Sequence, residues 1–142
     1  MKKAVLFFSA FILSVALFAQ EKTVAVADVI KFNETVYDFG KIKQGVPVYH
    51  DFTFTNISAN PIVIESAVPS CGCTTPVKPE GAVPKGKDNK IVAGFNAANP
   101  GPFNKSITVK VAGIDVPVQL IIKGEVVVPD NAAKDQAAKP KS

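Results

Sequence analysis

Arginine and tryptophan are missing from this 142-residue chain, histidine and methionine occur once each, and cysteine occurs twice. Without arginine there is no planar guanidinium to fork onto a phosphate or the edge of a guanine. All sixteen basic side chains are lysines, dispersed as on a solvated surface, so nucleic acid is not an expected partner. Without tryptophan, and with both cysteines together at 71 and 73, the Cys-Trp-Cys arrangement of antibody domains is absent. Also missing are a Gly-rich phosphate loop, a nucleophile elbow and a metal-protease helix, and the acids form no evident acid/base pair. No catalytic residue and no organic cofactor site is therefore expected, and the chain does not read as an enzyme.

One long apolar run is present, at the N-terminus. Lys2-Lys3, the run from Ala4 to Phe18, and Ala19 before Gln20 form the three parts of a secretory signal, with cleavage expected after Ala19. Leu17 stands where a second small residue is usual, which leaves an uncleaved membrane anchor as the alternative. No cysteine follows the run, so the usual bacterial lipoprotein attachment is excluded. Nothing further along resembles a membrane span. The mature chain is expected in the periplasm or outside the cell. Loss of Lys2 and Lys3 lowers the formal charge from +4 to +2, so the basic pI carries little weight. About 120 mature residues suit one domain with one core.

The patterning of that domain is β throughout. Runs rich in Val, Ile, Phe and Thr are separated by Gly, Pro, Asn and Asp, and no helical period persists. Residues 20–30 read as a linker or an edge strand. Strands are expected around 31–35 and 39–43, then at Val48 to Asn56, where Val48, His50, Phe52 and Phe54 share the inner face. Ile57 to Pro61 supplies turn chemistry and Ile62 to Val68 a further strand, which together predict a hairpin. Paired in that way, His50 would stand opposite Val68, near Cys71, and Asp51 and Glu65 would meet as surface charges. Residues 76–89 read as an exposed loop with at most one short strand. Strands at 90–95, 103–111 and 114–127 follow, with Ile107, Val109 and Val111, then Val116, Val118, Leu120 and Ile122, as inner sets. Asp38 is expected to cap a turn before Phe39-Gly40. The last residues, 129–142, contain no large apolar side chain and are expected to be disordered. Roughly seven short strands in about 100 residues predict an immunoglobulin-like β-sandwich held by apolar packing alone.

The order Phe39-Gly40, Gly45, Phe52-Thr53-Phe54-Thr55-Asn56, Cys71-Gly72-Cys73-Thr74, Gly86, Phe95 and Lys123-Gly124-Glu125-Val126 resembles domain of unknown function 1573. The resemblance covers residues 31–128 and implies an exported immunoglobulin-like module, of Bacteroidetes and related bacteria, similar to major sperm protein and hydin-type domains. It implies no enzymatic activity. The most specific part is the Cys-Gly-Cys-Thr run.

Cys71 and Cys73 admit three readings in an oxidising compartment. As a disulfide they close a ring too short to remove much chain entropy, and the bridge needs a bent backbone, which Gly72 permits. Such a strained bond would be reduced more easily than an ordinary staple. As a metal site, the two thiolates with His50 would suit copper(I) or zinc; the competing reading of His50 is a strand residue satisfied by a backbone carbonyl. As a thiol–disulfide exchange pair they would need a nearby cation, and Lys78 is close in sequence. The expected function is a structural or protein-interaction module that presents a sheet face or edge to another protein or envelope component, with a small metal-binding or redox domain as the alternative.

Overall fold

The computed structural model describes residues 25–129. The signal expected at 1–19, residues 20–24 and the tail 130–142 lie outside the described residues. A 3-10 turn at Val26–Asp28 leads into nine strands: β1 (Ile30–Phe32), β2 (Val36–Lys43), β3 (Val48–Asn56), β4 (Ile62–Pro69), β5 (Thr74–Val77), β6 (Ala82–Val83), β7 (Asp88–Phe95), β8 (Gly101–Val111) and β9 (Val118–Val127). They form two sheets, β1-β3-β7-β5 and β2-β9-β8-β4-β6, in which every pair is antiparallel except β2 with β9. This is the expected sandwich. Residues 76–89, expected to carry at most one short strand, instead contribute the end of β5, the whole of β6 and the first two residues of β7, and β5 and β6 raise the count above seven.

Alternation decides which side chains meet between the sheets. Phe52, Phe54, Ile91, Ala93 and Phe95 project from the four-stranded sheet, and Ile62, Ile64, Ile107, Val109, Val111, Leu120 and Ile122 project from the other. Each fully buried large side chain contributes about 1.5–3 kcal/mol by leaving water. The inner set of the last strand needs one correction: Val116 is exposed, because Pro117 precedes the first paired residue, Val118, and residues 112–117 form the connection.

The expected hairpin between β3 and β4 does not form. β3 pairs with β1 and β7, whereas β4 joins the other sheet beside β8 and β6, so the chain arches across the core. Asn56 is the keystone of that arch and is 0% exposed. Its Nδ2 donates to the carbonyls of Asn60 (2.8 Å) and Val83 (2.9 Å), and its Oδ1 accepts from Ser58 N (2.9 Å) and Ser58 Oγ (2.7 Å). The side chain thus supplies bonds that a hairpin ladder would otherwise supply. Consequently His50 lies opposite Ala93 and not Val68, and Asp51 and Glu65 belong to different sheets, paired with Lys90 (2.6 Å) and Lys110 (3.0 Å).

The parallel pair β2–β9 carries a bulge between Asp38 and Lys41. Asp38 Oδ1 accepts from Gly40 N at 2.8 Å, the expected turn cap. A Cβ on Gly124 would lie 2.7 Å from the Gly40 carbonyl oxygen and 2.9 Å from Phe103 Cζ, so the crossing admits no side chain there. Lys123 with Asp38, and Lys41 with Glu125, flank it.

Candidate functional site

The chain passes from one sheet to the other between β4 and β5, and the Cys-Gly-Cys turn is that passage. Cys71 and Cys73 are joined by a disulfide, with their α-carbons 5.4 Å apart. Both are partly buried, and Gly72 between them is exposed. The turn is pinned from each sheet. Ser70 N donates to Ser106 O (2.8 Å) and Ser106 N to Ser70 Oγ (3.1 Å), while Asn96 N donates to Cys73 O (3.1 Å). Within the turn Thr74 N donates to Cys71 O (3.2 Å), and the Thr74 side chain, 2% exposed, sits with Oγ1 3.8 Å from Cys71 Sγ. Beside Cys73 lies a cavity of about 120 Å³ whose lining includes Phe95, Asn96, Phe103 and Lys105. Lys78, the cation near in sequence, lies beyond the far end of β5.

His50 is not part of this corner. It projects inward from β3 and stacks on Tyr37 of β2, with ring centroids 3.6 Å apart and planes within 7°. The edges of Phe39 and Phe52 complete an aromatic box around it. Glu34 Oε1 lies 3.0 Å from Nε2, in contact with it but outside hydrogen-bonding geometry. Level with Val48, Thr74 stands two strands away across Phe95. Strand spacings of about 4.8 Å and rises of about 3.3 Å per residue then separate His50 from Cys73 by more than 10 Å. The grouping of Cys71, Cys73 and His50 rested on the hairpin and goes with it. Among the described residues no three His, Cys, Asp or Glu side chains are arranged to hold a metal ion.

A second feature adjoins the corner on the outside of the four-stranded sheet. Because β5 begins at Thr74, Thr74 points into the core and Thr75 points out, level with Gly94 of β7 and Tyr49 of β3. A Cβ on Gly94 would lie 2.7 Å from Thr75 Oγ1 and 3.0 Å from Tyr49 Cε1. Glycine there lets the tyrosine ring lie across β7 toward Thr75. Tyr49 is nevertheless 67% exposed and Val77 62% exposed. The other end of the same face is polar: Lys90 with Asp51 (2.6 Å), Thr55 with Asp88 (2.6 Å) and Asn33 with Thr53 (2.7 Å). The outward position of Tyr49 was legible from alternation, but its alignment with Gly94 and Thr75 depends on pairings that the pattern does not specify.

Residues 30–126 match the sequence model of a family described as Protein of unknown function (DUF1573). The chain belongs to this family. Its Phe39-Gly40 and Lys123-Gly124-Glu125 runs meet at the β2 bulge, Asn56 closes the arch, and the cysteines form the passage between sheets. No curated protein matches the chain. Among solved structures it is similar to a protein of unknown function from Porphyromonas gingivalis W83 (TM-score 0.60, 14% identity, covering 75% of this chain and 51% of that one). It is also similar to the ASH/PapD-like domain 7 of human CEP192 (TM-score 0.62, 10% identity, 83% of this chain and 99% of that one). The VesB protease of Vibrio cholerae is a third (TM-score 0.55, 15% identity, 70% of this chain and 32% of that one). The chain thus spans about half of the Porphyromonas protein and a third of the protease. At these identities the likeness is one of fold.

Proposed function

We propose that this member of the family is an exported, non-enzymatic interaction module that docks another protein or envelope component on the outer face of its four-stranded sheet. The observation that carries the reading is the Tyr49 platform. An amphipathic ring is held across a glycine, and Val77, level with Val92, is exposed on the same sheet face. Tyrosine gives large contact area at low entropic cost, and such residues dominate docking energetics. The N-terminal signal supports export, and no described helix is long and apolar enough to cross a membrane. The likeness of fold to a PapD-like domain along nearly its whole length supports reading the described residues as one module.

The test uses the full chain in its native envelope, with a photo-crosslinking residue in place of Tyr49. A discrete protein adduct is expected, lost when Val77→Asp is added to a chain that stays folded by circular dichroism. The same adduct should survive Cys71→Ser/Cys73→Ser. No adduct, or one indifferent to Val77→Asp, counts against the platform.

A further inference from the structure

Thr74 carries a buried hydroxyl with one side-chain partner among the described residues, Cys71 Sγ at 3.8 Å. A disulfide sulfur is a weak acceptor, whereas a thiolate in the same place accepts a charge-assisted bond. The donor is therefore better matched to the reduced state of Cys71 than to the oxidised one. Cys73 has different surroundings: it borders a cavity whose lining also includes Lys105, a cation that would attract an approaching thiolate. The two sulfurs are thus unlike, one backed by a hydroxyl, the other facing an opening.

The bond also does little to hold the fold. Its ring is too short to restrict the unfolded chain appreciably. The Ser70–Ser106 and Asn96–Cys73 hydrogen bonds that pin the corner involve no sulfur atom. Opening the bridge therefore need not open the sandwich.

We propose that Cys71–Cys73 is a thiol–disulfide exchange site that accepts two electrons from a dithiol partner, with Cys73 attacked and Cys71 leaving. A partner thiolate enters the cavity and bonds to Cys73 Sγ. The Cys71–Cys73 bond breaks, and its electron pair departs on Cys71 Sγ, which receives the Thr74 hydroxyl hydrogen bond. The partner's second thiol, once deprotonated, attacks its own sulfur in the mixed disulfide and releases Cys73 as a thiolate beside Lys105. The partner ends as a disulfide and this chain as a dithiol, with the partner's two protons taken up by the released thiolates. The inference is independent of the docking platform.

The experiment uses the oxidised, signal-free chain with dithiothreitol as the probe dithiol. Thiol state is read by alkylation and intact mass, and fold by circular dichroism. Reduction of the folded protein is expected, faster than its global unfolding. Thr74→Val should slow that reduction roughly three- to tenfold, about half the worth of a hydrogen bond to a fully charged acceptor because the charge on Cys71 is only partly formed as the S–S bond breaks, and Thr74→Ser should restore it. Lys105→Gln should slow it as well, with the difference shrinking at high salt. Persistence of the bond until the chain unfolds, or a wild-type rate in Thr74→Val, overturns the proposal. Should Thr74→Val fail to fold, a wild-type rate in Lys105→Gln overturns it equally.

Discussion

Replacing Asn56 tests the physical account of the arch most directly. Asn56→Ala removes two donated and two accepted hydrogen bonds from a fully buried position. The losses are unequal. Asn60 O lies 2.7 Å from Ser58 Oγ and gains the single hydroxyl proton for which Asn56 Oδ1 competed, but the Val83 carbonyl loses its side-chain donor inside the protein. Stranding a buried acceptor costs about 1–3 kcal/mol, and the remaining bonds add about 1 kcal/mol between them, so a loss near 3 kcal/mol is expected. For a domain of this size that is roughly a 12–24 °C fall in Tm. Asn56→Asp preserves the shape and both bonds from Ser58, yet turns a carboxylate toward the two carbonyls that the amide served. It should therefore cost more than alanine despite being closer to native in volume. Urea unfolding followed by circular dichroism, at constant m, measures both. An alanine variant within about 0.5 kcal/mol of wild type, or an aspartate variant more stable than the alanine one, would refute the assignment of Asn56 as a satisfied polar keystone.

Three further outcomes follow from the same geometry. Gly124→Ala should cost about 3 kcal/mol, because its Cβ would meet backbone and a buried ring, and unfolding at wild-type urea concentrations would show that the crossing yields. Leu120→Ala, at a fully buried position, should lose about 2–5 kcal/mol by the same assay, and a smaller loss would mean that the core collapses around the cavity. Lys90→Ala breaks an exposed ion pair with Asp51 and should change stability by less than about 1 kcal/mol; a larger change would contradict its reading as a surface contact.

Much of the sandwich was legible because alternation survives any choice of pairing. Phe52 and Phe54, then Ile107, Val109 and Val111, and Leu120 with Ile122 turn inward as their spacing requires. Pairing was less legible. Ile57 to Pro61 has the same turn chemistry whether the chain returns beside itself or crosses the core, and Asn56 decides the matter through one partner, Val83, 27 residues away. The parallel β2–β9 contact and the short β6 likewise depend on distant partners. At the candidate site, sequence marked the cysteines but misplaced His50, whose position near them was a corollary of the hairpin. Lys105 entered through its inward step on β8, which brings it to the cavity that Cys73 lines from 32 positions away and could not be inferred from proximity along the chain.

The parallel pairing of β2 with β9 also bears on force. Tension applied at the N-terminal side of β2 and the C-terminal side of β9 draws the two strands lengthwise past each other. Their slanted hydrogen bonds, from Val36–Ile121 to Lys43–Val127, then share the load together and do not open one by one as a zipper would. Among the described strands only the three-residue β1 precedes this clamp, and it would peel first at small cost. A module strung between two anchors would thus resist stretching along the axis of these two strands.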